Sequence, residues 1–391
     1  MRAPFTDRKL DDSEIPATVL SAANRPTAAV INLGALEHNF NEVDRRTAGR
    51  KILAVVKAQA YGHGAAAVSR RLLELGVAML GVALVEEGME LRRAGIDAPI
   101  LVMGSLFPEQ AEALAALRLA SVVFTMDTAR ALSRAAQQLK TTVSVHVKID
   151  TGMGRIGIAP EQALEFVRLL RGLPGIDVQG LMTHFADADL REKEFASKQM
   201  DRFDVLVRSL SESGIPVPLI HAANSAAVLD YQRALFTMVR PGLMLYGYNP
   251  LEAGAAHADL LPVLSLVTRI AFLKKVAAGI PISYGRSFVT QRESLIATLP
   301  IGYADGFSRG LSNKGEALVR GRRVPVVGRV CMDMCLVDVT EVPDVAEGDD
   351  VVLIGRQGRE LITAEEIAAK IGTIPYEVLC GISSRVPRIY L

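Results

Sequence analysis

Between residue 28 and about residue 250, short apolar runs of strand length alternate with longer stretches whose apolar residues recur at helical spacing. Eight of the apolar runs predict strands: Ile52–Lys57, Ala78–Leu84, Pro99–Met103, Ser121–Thr125, Val143–Ile149, Val178–His184, Leu219–Ala223 and Thr237–Arg240. Helices are predicted between them, including Ala65–Leu75, Glu109–Leu117, Thr128–Leu139, Glu161–Leu170 and Lys193–Ser213. This alternation favours an α/β fold with a (β/α)₈ TIM-like barrel, and a doubly wound open sheet is the alternative.

The pattern changes after residue 261, where short β-type runs separated by turn residues replace the alternation. These runs predict the strands Leu266–Ile270, Ser294–Leu299, Glu316–Val319, Arg323–Val327, Leu336–Val339 and Asp350–Ile354, with one helix, Thr363–Ile371, among them. We therefore predict an N-terminal extension over residues 1–27, a barrel domain over residues 28–261 and a mainly β C-terminal domain over residues 262–391.

The composition of the 391-residue chain limits its partners. Lys and Arg number 44 and Asp and Glu number 43, which argues against a nucleic acid or an acidic membrane bound through bulk charge. No apolar run has the length of a membrane span, and residues 1–25 lack the apolar centre of a secretory signal. Cys331, Cys335 and Cys380 lack zinc-site spacing and indicate reduced thiols in apolar surroundings. We expect a cytoplasmic protein without a metal site.

One lysine, Lys57, follows the buried apolar run from Ile52 to Val56. An ammonium beside apolar neighbours is costly unless it is paired or neutralised. A covalent bond between the amine and an aldehyde cofactor would neutralise it. The alternative is a lysine whose charged end reaches water while its stem packs on the end of the sheet. The residues of this run leave both interpretations open.

Polar residues also follow the ends of other predicted barrel strands, where chemistry gathers in such barrels. They are Lys148 and Asp150 after the fifth strand, His184 after the sixth, Asn224 and Ser225 after the seventh, and Arg240 at the eighth. Strand ends meet solvent in any barrel and are therefore polar, but this set holds more reactive and cationic groups than solvation requires. The barrel edge is thus the predicted site.

The run Val55-Val56-Lys57-Ala58-Gln59-Ala60-Tyr61-Gly62-His63-Gly64 resembles the cofactor-lysine motif of the alanine racemases. The resemblance implies that Lys57 holds pyridoxal 5'-phosphate covalently and that Tyr61 contacts the cofactor phosphate. Gln59 stands where the family usually has Asn or Asp, which changes the local hydrogen bonding and leaves the lysine and the tyrosine in place.

Further runs in the barrel carry the same resemblance, namely residues 148–155, 183–186, 221–225 and 240–243. It implies that Arg155 donates to the cofactor's phenolic oxygen and also contacts the substrate, and that a carbamylated Lys148 orients Arg155. It implies that His184 lies against the cofactor ring and that Arg240 faces the pyridine nitrogen. The turns that follow the last two strands suit the phosphate, through Asn224, Ser225, Gly242 and Leu243.

Runs in the predicted β domain complete the resemblance, namely residues 283–286, 301–306, 328–333 and 376–388. It implies that Tyr284 is an acid–base group opposite Lys57 and that a homodimer shares its active sites between subunits. It assigns Met332 and Tyr303 to the substrate and Tyr376 to the phosphate and the narrow entrance. Four further residues match an outer entrance channel: Asp189, Arg309, Arg329 and Ile374.

Because the motifs occur in family order in both domains, the chain is identified as similar to the alanine racemases. This similarity implies a racemase that interconverts L-alanine and D-alanine and supplies D-alanine for peptidoglycan. The alternatives are a racemase of broader specificity, a decarboxylase of the same fold class that uses the same cofactor, and a non-catalytic cofactor carrier. The long second domain with Tyr284 argues against the carrier.

Overall fold

The computed structural model describes residues 25–252 and 258–391, so residues 1–24 of the predicted extension lie outside the described chain. The described residues form two compact units. We call Val30–Leu264, Thr373–Ile382 and Arg388–Leu391 the barrel unit, and Ser265–Gly372, Ser383–Pro387 and residues 25–29 the β unit. Two C-terminal segments that the sequence analysis assigned to the second domain therefore cluster with the barrel.

A first strand, β1 (Ala28–Ile31), precedes the barrel. The barrel strands are β2 (Lys51–Val55), β3 (Met79–Val82), β4 (Ile100–Val102), β5 (Ala120–Val123), β6 (Val143–Lys148), β7 (Ile176–Met182), β8 (Leu219–His221) and β9 (Met238–Val239). They form an eight-stranded parallel sheet in the order β8-β7-β6-β5-β4-β3-β2-β9. The Thr237 N–H donates to the Ile220 carbonyl and the Arg240 N–H to the Ala223 carbonyl, so hydrogen bonds also join the two end strands. The predicted barrel is confirmed.

Helices alternate with these strands and bury their apolar faces. Their bounds are Leu33–Thr47, Ala65–Glu74, Val85–Arg93, Ala111–Ala116, Met126–Gln138, Pro160–Arg171, Glu194–Glu212 and Ser225–Asp230, with 3₁₀ turns at Pro108–Gln110, Gln232–Ala234 and Leu243–Tyr246. Side-chain caps explain several starts, because the oxygen of Asn32 or Thr125 accepts an N–H that the first turn leaves unpaired. A C-terminal helix, Pro375–Cys380, also belongs to the barrel unit. No helix of the described residues is long and apolar enough to cross a membrane.

The β unit is built from antiparallel strands. They are β10 (Leu264–Arg269), β11 (Phe272–Val276), β12 (Pro281–Ile282), β13 (Phe288–Val289), β14 (Ser294–Leu299), β15 (Glu316–Val319), β16 (Arg322–Pro325), β17 (Cys335–Asp338), β18 (Asp350–Gln357) and β19 (Glu360–Ile362). The last strand of the chain, β20 (Arg388–Tyr390), belongs to the barrel unit. They pair in the order β16-β15-β18-β10, with β19 on β18, and in the order β11-β14-β17. The helix Ala364–Ile371 and the 3₁₀ turns Tyr284–Arg286, Tyr303–Asp305 and Arg309–Leu311 complete the elements.

The predicted mainly β domain is confirmed, whereas several strands were missed. β11 has the sequence FLKKV and exposes most of its residues, so it lacks the apolar run on which strand prediction depends. Some predicted barrel strands are also too long. β2 ends at Val55, so Lys57 lies beyond the strand, and β9 contains only Met238 and Val239, which places Arg240 in the following loop.

Candidate active site

The backbone after Lys57 turns in the left-handed sense. Ala58, Gln59, Ala60 and Tyr61 all have positive φ, between 51° and 56°. L-residues pay roughly 1–2 kcal/mol each in a left-handed helical conformation, so four in succession require support from their surroundings. We call residues 58–61 the left-handed turn. Its sequence, Ala-Gln-Ala-Tyr, does not signal this conformation, and the sequence analysis missed it.

Part of this support comes from the helix Val85–Arg93. The carboxylate of Glu87 accepts the Ala58 N–H at 2.6 Å. The side-chain amide of Gln59 donates to both oxygens of Glu90, at 2.8 and 2.6 Å, and its carbonyl accepts the N–H of Ala65 at 3.3 Å. Gln59 therefore links the left-handed turn to two helices. These are the local hydrogen bonds made by the residue that stands where the family usually has Asn or Asp.

A buried imidazole supports the other side of the turn. Nδ1 of His63 lies 3.0 Å from the Ala60 carbonyl and 2.9 Å from the Tyr61 carbonyl. Burial lowers the pKa of His63 to about 4, so the ring is neutral and Nδ1–H donates to these carbonyls. The Tyr246 ring stacks 4.6 Å from His63, and its hydroxyl donates to the Val55 carbonyl at 2.8 Å. Neither His63 nor Tyr246 was predicted to belong to the site.

Three tyrosines of the barrel unit pack together. The Tyr61 ring lies 4.8 Å from Tyr246 and 5.9 Å from Tyr376. Burial raises the pKa of Tyr61 far above its ordinary value, so its hydroxyl stays protonated. Burial and the charge of Asp189 raise the pKa of Tyr376 to about 12. The predicted phosphate contacts Tyr61 and Tyr376 thus lie side by side, with the predicted channel residue Asp189 close by, and Ile374 precedes the helix that carries Tyr376.

Arg240 is buried in the barrel, with 4% of its surface exposed. Nη1 donates to the carbonyl of His221 at 2.8 Å and to its Nδ1 at 3.2 Å. Nη2 donates to the carbonyls of Thr183 and Ala222 and, at 3.1 Å, to Nδ1 of His184. Burial lowers the pKa of Arg240 to about 10, which leaves it cationic at neutral pH. Among the described residues, no carboxylate forms an ion pair with it, so its charge is available to an electron-rich ligand.

His184 is neutral and lies among cations. Burial, followed by the charges of Arg240, Lys148, Arg155 and Lys57, lowers its pKa well below the ordinary value. Because its Nδ1 accepts from Arg240, its proton is on Nε2. The predicted strand-end residues Lys148 and Arg240 therefore lie close enough to His184 for their charges to shift its pKa.

Lys148 ends β6 and is 3% exposed. Burial, then the charges of Arg240 and Arg155, lower its pKa well below the ordinary value, and the opposing charge of Asp150 does not compensate. The shift favours the neutral, nucleophilic form of the amine. Asp150 instead shapes the following loop, since its carboxylate accepts the N–H groups of Gly152 and Gly154 at 3.0 and 3.1 Å.

The turns after β8 and β9 meet each other. Asn224 caps the helix Ser225–Asp230, and the hydroxyl of Ser225 accepts the N–H groups of Gly242 and Met244 at 2.9 and 3.3 Å. A Cβ at position 242 would lie 2.5 Å from the hydroxyl of Tyr61, so a larger residue there would have to displace the Tyr61 side chain. Leu243 follows as a buried residue. The predicted phosphate residues are therefore neighbours, although the Gly242 amide is bonded to Ser225 in this arrangement.

The β unit contains the predicted residues of the second domain, from Tyr284 to Met332. Tyr284 exposes 73% of its surface, and a Cβ on the next residue, Gly285, would lie 3.3 Å from the guanidinium of Arg329. The Ser283 hydroxyl donates to the Arg329 carbonyl at 2.8 Å. Met332 is exposed, and its carbonyl accepts the Ala304 N–H at 3.1 Å, beside Tyr303. Arg309 lies in a separate 3₁₀ turn of the same unit.

The cysteines are free thiols, as predicted. Their expected burial is wrong for two of them, because only Cys335 is buried. Cys331 is half-buried and Cys380 is exposed.

Two family models match this chain. They describe the N-terminal domain of alanine racemase, over residues 31–250, and its C-terminal domain, over residues 263–390. The chain belongs to the alanine racemase family. The alanine racemase of Halothermothrix orenii is 50% identical to it over 367 residues, which are 94% of this chain and 97% of that protein.

Solved structures give the same result. The alanine racemase of Clostridium difficile 630 matches with a TM-score of 0.90 and 40% identity, over 94% of this chain and 96% of that one. The alanine racemase of Bacillus anthracis with bound L-Ala-P matches with a TM-score of 0.88 and 40% identity, over 94% of this chain and 95% of that one. The chain is thus an enzyme of a racemase family that uses pyridoxal 5'-phosphate, and the roles of individual residues stay predictions.

Proposed function

We propose that this enzyme interconverts L-alanine and D-alanine with pyridoxal 5'-phosphate held in the barrel unit. The observation that carries the proposal is the buried Arg240, whose hydrogen-bond acceptors are carbonyls and neutral imidazoles. A buried cation with no carboxylate partner among the described residues suits a ligand with electron-rich atoms. The relative with bound L-Ala-P supports an amino acid of alanine's size.

The residues present fit the cofactor. The Tyr61 hydroxyl lies close to the backbone of Gly242, and the Gly242 N–H donates to the Ser225 hydroxyl, so three of the residues assigned to the phosphate lie together. We assign the phosphate to Tyr61, Asn224, Ser225, Gly242, Leu243 and Tyr376, the phenolic oxygen to Arg155, the ring face to His184, the ring nitrogen to Arg240 and the covalent bond to Lys57. When bound, the cofactor supplies an electron-withdrawing ring that makes the α-proton of alanine removable.

Arg240 restricts the chemistry to proton exchange at the α-carbon. A protonated pyridine nitrogen needs a hydrogen-bond acceptor opposite it. A guanidinium has donors and no acceptor, so Arg240 would keep the pyridine nitrogen unprotonated. A carboxylate at this position would keep that nitrogen protonated and draw electrons further into the ring. Arginine therefore disfavours side reactions such as transamination.

Lys148 is proposed to carry a carbamate. The neutral amine attacks carbon dioxide, so that an N–C bond forms as one C–O π bond breaks, and the nitrogen then releases one proton, which converts the neutral amine into an anionic carbamate. The lowered pKa of Lys148 supports the neutral amine that this step needs. The anion would then orient the guanidinium of Arg155, which holds substrate and cofactor.

Racemisation needs an acid–base group on each face of the α-carbon. We assign one face to Lys57 and the other to Tyr284, supplied by the partner subunit of a homodimer. The exposure of Tyr284 supports this assignment, because a phenol that serves another subunit must lie at the surface of its own. The proposed domain boundaries are an extension over residues 1–27, the barrel over 28–261 and the β domain over 262–391.

The substrate carboxylate is assigned to Met332 and Arg155, and Tyr303 and Tyr376 narrow the entrance, so a methyl side chain is favoured. The outer channel is assigned to Asp189, Arg309, Arg329 and Ile374. D-alanine made in this way would supply peptidoglycan.

The deciding experiment follows L-alanine in heavy water with the holoenzyme, its Tyr284→Phe variant and a matched Tyr231→Phe control. Tyr231 also loses only a hydroxyl, one that donates to Ser197. We expect racemisation by Tyr284→Phe to fall by about 10³-fold, while exchange of the α-proton of one enantiomer continues through Lys57. Full racemisation by this variant would exclude the two-base assignment. Release of carbon dioxide without D-alanine would exclude the racemase.

A further inference from the structure

The carboxylate of Glu87 joins two segments of backbone that are distant in sequence. One oxygen accepts the N–H of Ala58 at 2.6 Å. The other accepts the N–H groups of Ala83 at 2.7 Å and Leu84 at 3.1 Å. Glu87 thus ties the end of β3 to the peptide that follows Lys57.

Only part of this bonding is explained by the helix Val85–Arg93. Leu84 is the N-cap residue of that helix, so the oxygen on Ala83 and Leu84 satisfies N–H groups at the helix start. The oxygen on Ala58 contributes nothing to the helix, because Ala58 belongs to the left-handed turn. Its bond is the shortest of the three.

We propose that Glu87 is a positioning residue for Lys57, an inference that rests on the proposed function of Lys57 as the cofactor lysine. The Ala58 N–H belongs to the peptide plane that begins at the Lys57 carbonyl. Fixing this N–H fixes that plane, and with it the direction in which the Lys57 side chain leaves the backbone. Ala58 is also the first residue of the left-handed turn, so the bond lies where that turn starts.

The alternative role is that of a helix cap alone. Glu87→Gln separates the two roles, because an amide has only one acceptor oxygen. If this oxygen accepts from Ala83 and Leu84, the NH₂ group faces the Ala58 N–H and that hydrogen bond is lost. Glu86→Gln is the matched control and removes the same charge. Glu86 is the preceding residue of the same helix and is exposed, whereas Glu87 is half-buried.

The readout is attachment of the cofactor to Lys57. The apoenzyme is mixed with pyridoxal 5'-phosphate and the rate of covalent attachment is followed by absorbance. Binding of pyridoxamine 5'-phosphate, which has the phosphate and the ring without the aldehyde, reports the rest of the pocket. In Glu87→Gln, we expect attachment and kcat to fall about tenfold, while the pyridoxamine phosphate Kd and the alanine KM change by less than about twofold. Glu86→Gln should match the wild type.

A second measurement needs no variant. Hydrogen exchange followed by mass spectrometry should show the Ala58 amide protected in the wild-type holoenzyme, although Ala58 is exposed. Rapid exchange there would overturn the proposal even if Glu87→Gln does not fold. Equal attachment rates in the two variants, with only a lower melting temperature for Glu87→Gln, would overturn it in favour of the helix cap.

The two hypotheses fail in different ways. Borohydride reduces the bond between cofactor and lysine to a stable secondary amine, and peptide mass analysis then locates the labelled lysine. Label on another lysine in the wild type would refute the proposed function of Lys57. Label on Lys57 in every variant at the wild-type rate would refute only the role of Glu87.

Discussion

Nη1 of Arg240 lies 3.2 Å from Nδ1 of His221, inside the barrel. Since a guanidinium only donates, His221 must accept at Nδ1 and carry its proton on Nε2. That Nε2 lies 2.7 Å from Nδ1 of His146, so His146 also carries its proton on Nε2. This last nitrogen has no hydrogen-bond partner among the described residues. The direction of donation from the cation thus determines two tautomers in succession.

Both histidines should stay neutral across the physiological range. Burial, then the charge of Arg240, lowers the pKa of His146 to about 4, and burial, then His146 and Arg240, lowers that of His221 well below the ordinary value. Nitrogen-15 spectra between pH 5.5 and 8 should show both rings neutral with protons on Nε2. His146→Asn removes one signal and assigns the pair. A doubly protonated ring at pH 6 would contradict the donation scheme.

The same shift has a consequence for stability. An unfolded histidine has a pKa of about 6.5, so between pH 6.5 and about 4 the unfolded chain binds a proton that folded His146 does not. Stability is therefore complete above pH 6.5 and is lost as the pH falls through this window, by up to about 3 kcal/mol for this residue. In urea titrations, His146→Asn should lose less stability over this window than the wild type. An equal loss in both would contradict the assignment.

Lys148 should incorporate labelled carbon dioxide. The neutral amine is the form that reacts, and burial and the charges of Arg240 and Arg155 shift the pKa of Lys148 in favour of that form. In ¹³C-bicarbonate we expect one carbamate resonance that disappears on acidification and is absent from Lys148→Gln. The kcat/KM of Lys148→Gln should be about tenfold lower than that of the wild type, because Arg155 would have no anionic partner. Lys198→Gln, at an exposed lysine paired with Glu194, should keep the resonance. A resonance that survives in Lys148→Gln would place the carbamate elsewhere.

The sequence was informative about the fold because the signals are local. A buried strand of a parallel barrel is a continuous apolar run, and each run between two helices could be counted from the order of the residues alone. β11 and β20 could not be found in this way. Their side chains are mostly exposed, so pairing of their backbones, which the sequence does not encode locally, defines them.

The residues of the candidate site also fall into those that local sequence signals predict and those that they do not. Lys148, His184 and Arg240 could be predicted together, since parallel barrel strands bring their C-terminal ends to one edge. Glu87 and His63 could not. Their side chains bind backbone N–H and carbonyl groups of a left-handed turn, and the residues of that turn ordinarily avoid this conformation.

Strain is also stored directly before Tyr284. Ser283 has φ 65° and ψ −176°, a region that is nearly restricted to glycine, and its hydroxyl donates to the Arg329 carbonyl. Ser283→Ala keeps the strain and loses the bond, so we expect a loss of about 1 kcal/mol in the free energy of unfolding. Ser283→Gly loses the bond but relieves the strain and should be the more stable of the two. Urea titrations decide the order, and the opposite order would mean that the backbone conformation costs little.

The last prediction concerns the acid limit of the β unit. Glu366 accepts from Arg323 at 2.7 and 3.0 Å and from Lys370 at 2.8 Å. The hydrogen bond from Arg323 is the main cause that lowers the pKa of Glu366 to about 2. The unfolded carboxyl takes up its proton near pH 4.3. The stabilisation is therefore present above about pH 4.3 and is lost as the pH falls towards 2.

Glu366→Gln should therefore lower stability at pH 7 by about 1–2 kcal/mol, a figure reduced for the partial exposure of the pair, and should flatten the dependence on pH between 4.3 and 2. Glu365→Gln is the matched control, because Glu365 is an exposed residue in the same first turn. Thermal melts of both variants and the wild type across this range provide the measurement. If Glu365→Gln and Glu366→Gln melt alike at every pH, the ion pairs around Arg323 do not stabilise the fold.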